Sequence, residues 1–242
     1  MTSEQLLIFL VLPVAGYLLG SVPFAWVIGK SKGVDIRTVG SKNIGATNLG
    51  RTLGPQYFWY AFLLDAAKGF LPTLLASLLV RHLNAREFIT PPPGHPLPYW
   101  APLLTGVACV VGHLLPLYLK FKGGKGVATG FGVVLGFWPV YTLAGLLAGA
   151  FFVFVLMIYR YISLASMSAA IAFAVFVAAL SSWQNRWLDT FLPPGDRVPL
   201  IIVACLFAAL IIFRHRANLS RLLKGTEPKV GQREIDKARM GK

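Results

Sequence analysis

The 242 residues are 56% hydrophobic and only 13% charged, with a mean hydropathy of +0.65, whereas soluble domains carry about a quarter charged residues. Several apolar runs reach the ~20 residues that cross a bilayer, and they are continuous rather than alternating, which argues against a soluble domain and against a transmembrane barrel. The net charge of +14 admits two readings, loops facing anionic lipid or sites for anionic substrates, and position along the chain must decide between them.

In chain order, the apolar runs are 6–28, 57–80, 100–119, 127–158, 163–182 and 199–213. The first follows MTSEQ, which has no Lys or Arg, and is longer than a signal-peptide core, so it is expected to be retained. The fourth is too long for one ordinary crossing. Gly130, Gly132, Gly136 and Pro139, with Gly145 and Gly149 further on, fit two spans joined by a short turn near Trp138 and Pro139, the first short or tilted.

Charge sets the orientation. Lys30, Lys32, Arg37, Lys42 and Arg51 fall in the first long loop, and Lys120, Lys122 and Lys125 follow the third run. Arg160 follows the fourth, and nine more cations follow Phe213. The loops 81–99 and 183–198 hold only Arg81, Arg86, Arg186 and Arg197. The positive-inside rule puts the rich loops in the cytoplasm. Two crossings within 127–158 keep the basic tail with them. The expectation is an all-α integral membrane protein of seven transmembrane helices, N-terminus outside and C-terminus cytoplasmic. Its membrane domain covers residues 1–225, and 226–242 form a polar basic tail that frays from Lys229. Thr90–Pro98, TPPPGHPLP, reads as a stiff outer connector with His95 solvated.

Cys109 and Cys205 lie in apolar runs without a CxxC and read as small buried hydrophobes. The histidines lack metal-ligand spacing, so neither metal nor cofactor is expected.

Five polar segments remain, all expected at the cytoplasmic face. The densest is Val39–Arg51, VGSKNIGATNLGR, which has no strong helix-building pattern. Phosphate is held by amides of glycine turns, hydroxyl donors and a cation. Gly40, Gly45 and Gly50 permit turns; Ser41, Asn43, Thr47 and Asn48 supply donors; Arg51 supplies a planar fork. The plainer alternative is a polar turn between spans. Phe121–Thr129, FKGGKGVAT, has the chemistry of a phosphate loop and opens a helix whose N-terminus attracts anions. It is not a Walker A motif, because Gly126 follows Lys125. A hinge with juxtamembrane lysines is the alternative.

Asp65 and Lys68, i and i+3 inside the second run, share a face and are placed to pair. Ser163 in YISLAS is an N-cap or a ligand hydroxyl. In RHRANLSR, His215 and Asn218 face one way, and Leu219, Leu222 and Leu223 form a patch suited to a membrane surface. His113 is either a satisfied intramembrane histidine or packs the lysine loop. Two glycine loops with separate cations suggest two anionic groups, hence an enzyme or carrier of phosphorylated substrates.

GSVP (Gly20–Pro23), GSKNIGATNLGR, DAAKG (Asp65–Gly69), GHLLP, FKGGKGVAT, YISLAS and HRANLSRLLKGTEPK, in this order, closely resemble the bacterial acyl-phosphate:glycerol-3-phosphate acyltransferase family. The resemblance covers all but the outer loops and the extreme C-terminus. It implies a seven-span fold in the bacterial cytoplasmic (inner) membrane. It also implies transfer of a fatty acyl group from acyl-phosphate to the 1-hydroxyl of glycerol 3-phosphate, giving lysophosphatidic acid and phosphate as the first step of phospholipid biosynthesis. The implied partners are these two substrates and the lipid bilayer, with no nucleic acid, and with functional coupling to an enzyme that produces acyl-phosphate.

The same resemblance puts Ser41, Asn43, Gly45, Thr47, Asn48, Lys122, Gly123, Gly124 and Lys125 on the acyl-phosphate. It puts Arg51, Lys125, Ser163, His215 and Asn218 on glycerol 3-phosphate. Ser41, Arg51, Lys125 and His215 form the implied catalytic set, supported by Asp65, Lys68, His113 and Glu227. One departure is visible: Lys42 stands where the family often has Gly.

Acyl-phosphate is a mixed anhydride whose phosphate already leaves well, so no acyl-enzyme is needed. The chain agrees, having no GxSxG elbow. The leaving phosphate is expected to take the hydroxyl proton, with Ser163, His215 and Asn218 orienting the acceptor. The rival reading is an organophosphate or lipid-phosphate transporter, which would place broken helices near the midplane in repeated halves, and no repeat is visible.

Overall fold

The computed structural model describes residues 6–84, 100–182 and 197–231, and all regular structure among them is helical. The Thr90–Pro98 connector and the tail past Gly231 lie outside the described residues. The chain divides into two compact units, Met1–Thr142 and Leu143–Lys242.

In the first unit, a π-helical turn at Leu7–Val11 leads into α1 (Leu12–Gly20), followed by α2 (Phe24–Ser31), α3 (Ala46–Leu53), α4 (Pro55–Asn84), α5 (Trp100–Leu114) and α6 (Val127–Gly136). The unit boundary falls in the first turn of α7 (Val140–Tyr159). The second unit continues with α8 (Ile162–Ser182), α9 (Arg197–Arg214) and α10 (Arg216–Leu223).

Among the described residues, six helical stretches are long and apolar enough to cross a membrane: Phe9–Ser31, Pro55–Val80, Trp100–Leu119, Val140–Tyr159, Ile162–Ser182 and Arg197–Arg214. They follow the expected runs closely. Their outer faces carry large apolar side chains, with Leu71 60%, Phe154 58% and Leu206 63% exposed, as helices solvated by lipid require. The chain is a multi-pass helical membrane protein. The long run is broken where its sequence demands: α6 stops at Gly136 and α7 starts at Val140. The ten residues of α6 span about 15 Å, half the ~30 Å hydrocarbon thickness.

Helices in lipid associate through small residues that let backbones approach. A Cβ on Gly20 would strike the Cys109 main chain, and one on Gly112 would strike the Tyr17 carbonyl, so these two glycines set α1 against α5. Gly69 against Thr129 and Gly132 against Ala66 do the same for α4 and α6. Cys109 is therefore buried as expected, but Cys205 is exposed on the surface of α9.

The first membrane stretch is interrupted at GSVP. Pro23 has no amide to continue the ladder, and the Val22 carbonyl accepts from Lys68 Nζ at 2.7 Å instead.

In the second unit, α9 lies along α8. The chain stays packed past α10. Glu227, on the tail side of the expected boundary, is 5% exposed. Val230 N donates to the Arg160 carbonyl at 2.8 Å, and the Arg160 guanidinium donates back to the Val230 carbonyl at 2.9 Å. The expected fraying therefore does not begin at Lys229.

Candidate functional site

The Val39–Arg51 stretch is half loop and half helix. Residues 46–53 form α3, which the sequence reading missed. The short helix forms because Ala46 and Leu49 drop into a core with Ala25, Ile36, Ile44 and Ala61.

Asn48 shapes the loop. It is 1% exposed. Its Oδ1 accepts from Ser41 N at 2.9 Å. Its Nδ2 donates to the carbonyls of Ile36 (2.8 Å), Asn43 (3.0 Å) and Val39 (3.2 Å). Both amide hydrogens are thus directed at main-chain carbonyls, and Asn48 holds the shape of the loop. Asn43 Oδ1 accepts from Gly45 N at 3.0 Å, an Asx turn that leads the chain into α3.

The glycines also divide their roles. Only Gly40 has a left-handed φ, +56°. Gly45 is the extended N-cap of α3, and Gly50 lets Phe58 pack against the helix backbone. Lys42 adopts φ +56°, the left-handed conformation that suits glycine. Ser41 and Arg51 are exposed and Thr47 is half-buried. The amides of Ala46 and Thr47 open α3 and so have no intrahelical acceptor. Behind the loop, Asp35 pairs with Arg37 at 2.7 Å and with Lys30 at 3.2 Å. The Arg37 hydrogen bonds hold its carboxyl well below the usual range despite some desolvation. Asp35 is the lone acid among the cations of this stretch, and the density of Lys and Arg there conceals it.

The lysine loop leans on His113. The Gly124 N–H donates to the His113 carbonyl at 3.1 Å, and the imidazole occupies the space a Cβ on Gly124 would need. A Cβ on Gly123 would strike the His113 and Leu114 carbonyls. Lys122 is exposed, Lys125 half-buried, and Gly126, at φ +85°, caps α6. Asp65 and Lys68 pair as expected, Nζ to Oδ1 at 2.7 Å, though this oxygen has no donor at hydrogen-bonding angles. His113 Nδ1 stands 3.8 Å from the same oxygen.

In the second unit, the residues converge on one carboxylate. Ser163 Oγ and Asn218 Nδ2 each donate to Glu227 Oε1 at 2.7 Å, and Arg221 Nε donates to Oε2 at 2.7 Å. Burial pushes the Glu227 pKa up, but these three donors and the Arg221 charge pull it below the ordinary value. Ser163 is inside α8, not its N-cap. His215 is 3% exposed at the joint between α9 and α10, with Nδ1 2.8 Å from the Ile211 carbonyl oxygen. A carbonyl only accepts, so Nδ1 carries a proton, and whenever the ring is neutral Nε2 is its acceptor nitrogen. Glu227 is the shared acceptor of this cluster. Its signal was a single acid inside a basic segment, KGTEPK.

Among the described residues, no group of His, Cys, Asp or Glu could hold a metal ion.

The sequence model of the glycerol-3-phosphate acyltransferase family matches residues 10–225. The chain is 42% identical to a glycerol-3-phosphate acyltransferase of Geotalea daltonii, over 94% of this chain and 97% of the relative. It is 39% identical to one of Aquifex aeolicus, over 90% and 97%. Among solved structures it is similar to PlsY, an integral membrane glycerol 3-phosphate acyltransferase, in its glycerol 3-phosphate form. The TM-score is 0.72 at 38% identity, over 92% of this chain and 95% of that one. The lysophosphatidic acid form of PlsY matches with a TM-score of 0.69 at 37% identity, over the same shares.

Proposed function

We propose that this chain, which belongs to the glycerol-3-phosphate acyltransferase family, moves a fatty acyl group from acyl-phosphate to the 1-hydroxyl of glycerol 3-phosphate, releasing lysophosphatidic acid and phosphate in phospholipid synthesis. The observation that carries the site is the 39–51 loop. It offers Ser41, the opening amides of α3 and the cations Lys42 and Arg51, and no carboxylate falls within it. Such a surface suits an anion with several oxygens.

In this reading Ser41, Asn43, Thr47 and the α3 amides cradle the acyl-phosphate's phosphate, with Lys122 and Lys125 adding charge. Asn48 and Gly45 shape the cradle. Arg51 meets the charge that builds on the leaving group. The hydroxyl oxygen attacks the acyl carbon, the bond from that carbon to the phosphate oxygen breaks, and the leaving phosphate takes the hydroxyl proton.

Ser163, His215 and Asn218 orient glycerol 3-phosphate. The Ser163 proton is committed to Glu227, so its oxygen accepts from a substrate hydroxyl, as His215 Nε2 also does. His215 then positions the acceptor through a hydroxyl other than the attacking one, whose proton goes to the leaving phosphate.

With glycerol 3-phosphate as acceptor, purified protein should yield lysophosphatidic acid and phosphate in equal amounts from acyl-phosphate and no lysophosphatidic acid from acyl-CoA. Acyl-CoA use, or flux of glycerol 3-phosphate without acylation, would overturn the reading. The accompanying topology is seven crossings of the bacterial inner membrane, counting α6, with the N-terminus outside and the tail in the cytoplasm. The distribution of Lys and Arg supports it. Terminal tags should be accessible from opposite sides; labelling from one side would sink it.

A further inference from the structure

We propose that Asp65, Lys68 and His113 are positioning residues that fix the lysine loop for phosphate. The inference rests on the reading of Lys122 and Lys125 as acyl-phosphate ligands. Asp65 is 2% exposed, and Lys68 and His113 are each 6% exposed, so none of the three is a surface ligand. Lys68 Nζ is held on three sides, by Asp65 Oδ1 at 2.7 Å, the Val22 carbonyl at 2.7 Å and the Phe24 ring, whose centroid is 5.7 Å away. This ties the pair to the GSVP break in the first membrane stretch.

On its other side, Asp65 Oδ1 faces His113 Nδ1 at 3.8 Å. That is an electrostatic contact and too long for a hydrogen bond, but it sets which edge of the imidazole turns away. The opposite nitrogen, Nε2, then stands against Gly124, while the His113 carbonyl takes the Gly124 N–H. One histidine thus holds the loop through both main chain and ring. The glycines at 123 and 124 are required by this close approach, whereas Gly126 serves the turn with its φ of +85°.

The same α4 segment also fixes the far end of the loop. Gly69 meets the Thr129 carbonyl and Ala66 meets Gly132, so DAAKG seats the first two turns of α6. The lysines therefore leave a segment held at one end by His113, which faces Asp65, and at the other by Ala66 and Gly69. A buried ion pair adds little stability over apolar residues of similar shape. What it adds here is orientation of a neighbouring polar ring.

The test is steady-state kinetics on the full-length protein, with acyl-phosphate and glycerol 3-phosphate varied separately, inorganic phosphate as inhibitor, and Tm recorded for each variant. The variants are the double Asp65→Leu with Lys68→Met, which removes both charges together, His113→Ala, His113→Gln, and Lys125→Ala as reference. The double variant and His113→Ala should raise KM for acyl-phosphate and weaken phosphate inhibition about tenfold, as loss of an orienting outer partner does. KM for glycerol 3-phosphate should rise less than KM for acyl-phosphate, and His113→Gln should recover part of the loss.

An unchanged acyl-phosphate KM in a folded double variant, with Lys125→Ala raising it, overturns the positioning role and leaves the loop's own role standing. A fall in kcat alone, with both KM values kept, reduces the cluster to structural support and overturns it too. An inert Lys125→Ala removes the reading on which the inference rests, and the inference with it. Where the double variant does not fold, the comparison of His113→Ala with His113→Gln decides: equal acyl-phosphate KM values at the wild-type level overturn the proposal.

Discussion

The 39–51 loop and the Glu227 cluster use similar polar groups in opposite ways. The loop is built around a neutral amide: Asn48 draws three carbonyls and one N–H inward, and the cations remain at the rim. The cluster is built around an anion: Glu227 already receives donors from Ser163, Asn218 and Arg221. A region whose centre is neutral and whose edge is donor-rich can take a phosphate. A region whose donors already face a carboxylate would repel one at that centre, and it presents acceptor atoms that suit hydroxyls instead. The proposed reaction calls for two kinds of site, and these two clusters differ in the sense it requires.

The sharpest way to break this comparison is at the loop's rim. Arg51→Ala removes a two-pronged cation from the last turn of α3 without touching the Asn48 bonds. We expect kcat/KM to fall on the order of a thousandfold, the upper range for losing one preorganised donor to developing charge, with Tm almost unchanged. Near-normal turnover would show that the loop holds no transition-state charge.

At the cluster, Glu227→Gln should act through stability as well as activity. It keeps the side chain's shape but replaces a carboxylate receiving three short hydrogen bonds. About 2–3 kcal/mol of stability should be lost, because hydrogen bonds to charged groups are the stronger kind. KM for glycerol 3-phosphate should rise with it. The pH dependence follows from the lowered pKa. The folded carboxyl sits below the ordinary glutamate value of 4.5, so its contribution is complete above that value and is lost as pH falls through the folded one. Thermal unfolding across pH 3 to 6 should therefore flatten in the Gln variant. A variant with the same acid slope as the parent would remove Glu227 as the cluster's anchor.

Much of this architecture could be read from the residues. Among the described residues, apolar run length places five of the six membrane-scale helices within a few residues, because a bilayer imposes a length that sequence must satisfy. The break near Pro139 was legible from glycine and proline alone. The Asp65–Lys68 pair was legible from its spacing. Other features were hidden for identifiable reasons. Helix α3 is only eight residues long and owes its existence to burial of Ala46 and Leu49, which no local pattern reveals. Asn48 looks like any polar ligand in the sequence, and only the loop's closure turns its amide inward. Glu227 finds its partners 64 and 9 residues away, and such convergence is a property of the fold.

The smallest expected effect is at Lys42, and it separates geometry from charge within the loop. With φ at +56°, a side chain there costs about 1–2 kcal/mol relative to right-handed backbone, a strain that Gly escapes. Glycine's greater freedom in the unfolded chain offsets roughly 0.5–1 kcal/mol of that gain. Lys42→Gly should therefore raise Tm by only about 1–4 °C, and Lys42→Ala, which keeps the strain, should not raise it. Both remove the same exposed cation, so any change in KM for acyl-phosphate that they share measures charge, and any difference between them measures loop shape. The side chain is exposed and solvent screens it, so the shared change should stay within about threefold. Should Ala stabilise the protein more than Gly, the left-handed backbone at this position would not be the source of strain, and the lysine would have to be explained by its charge alone.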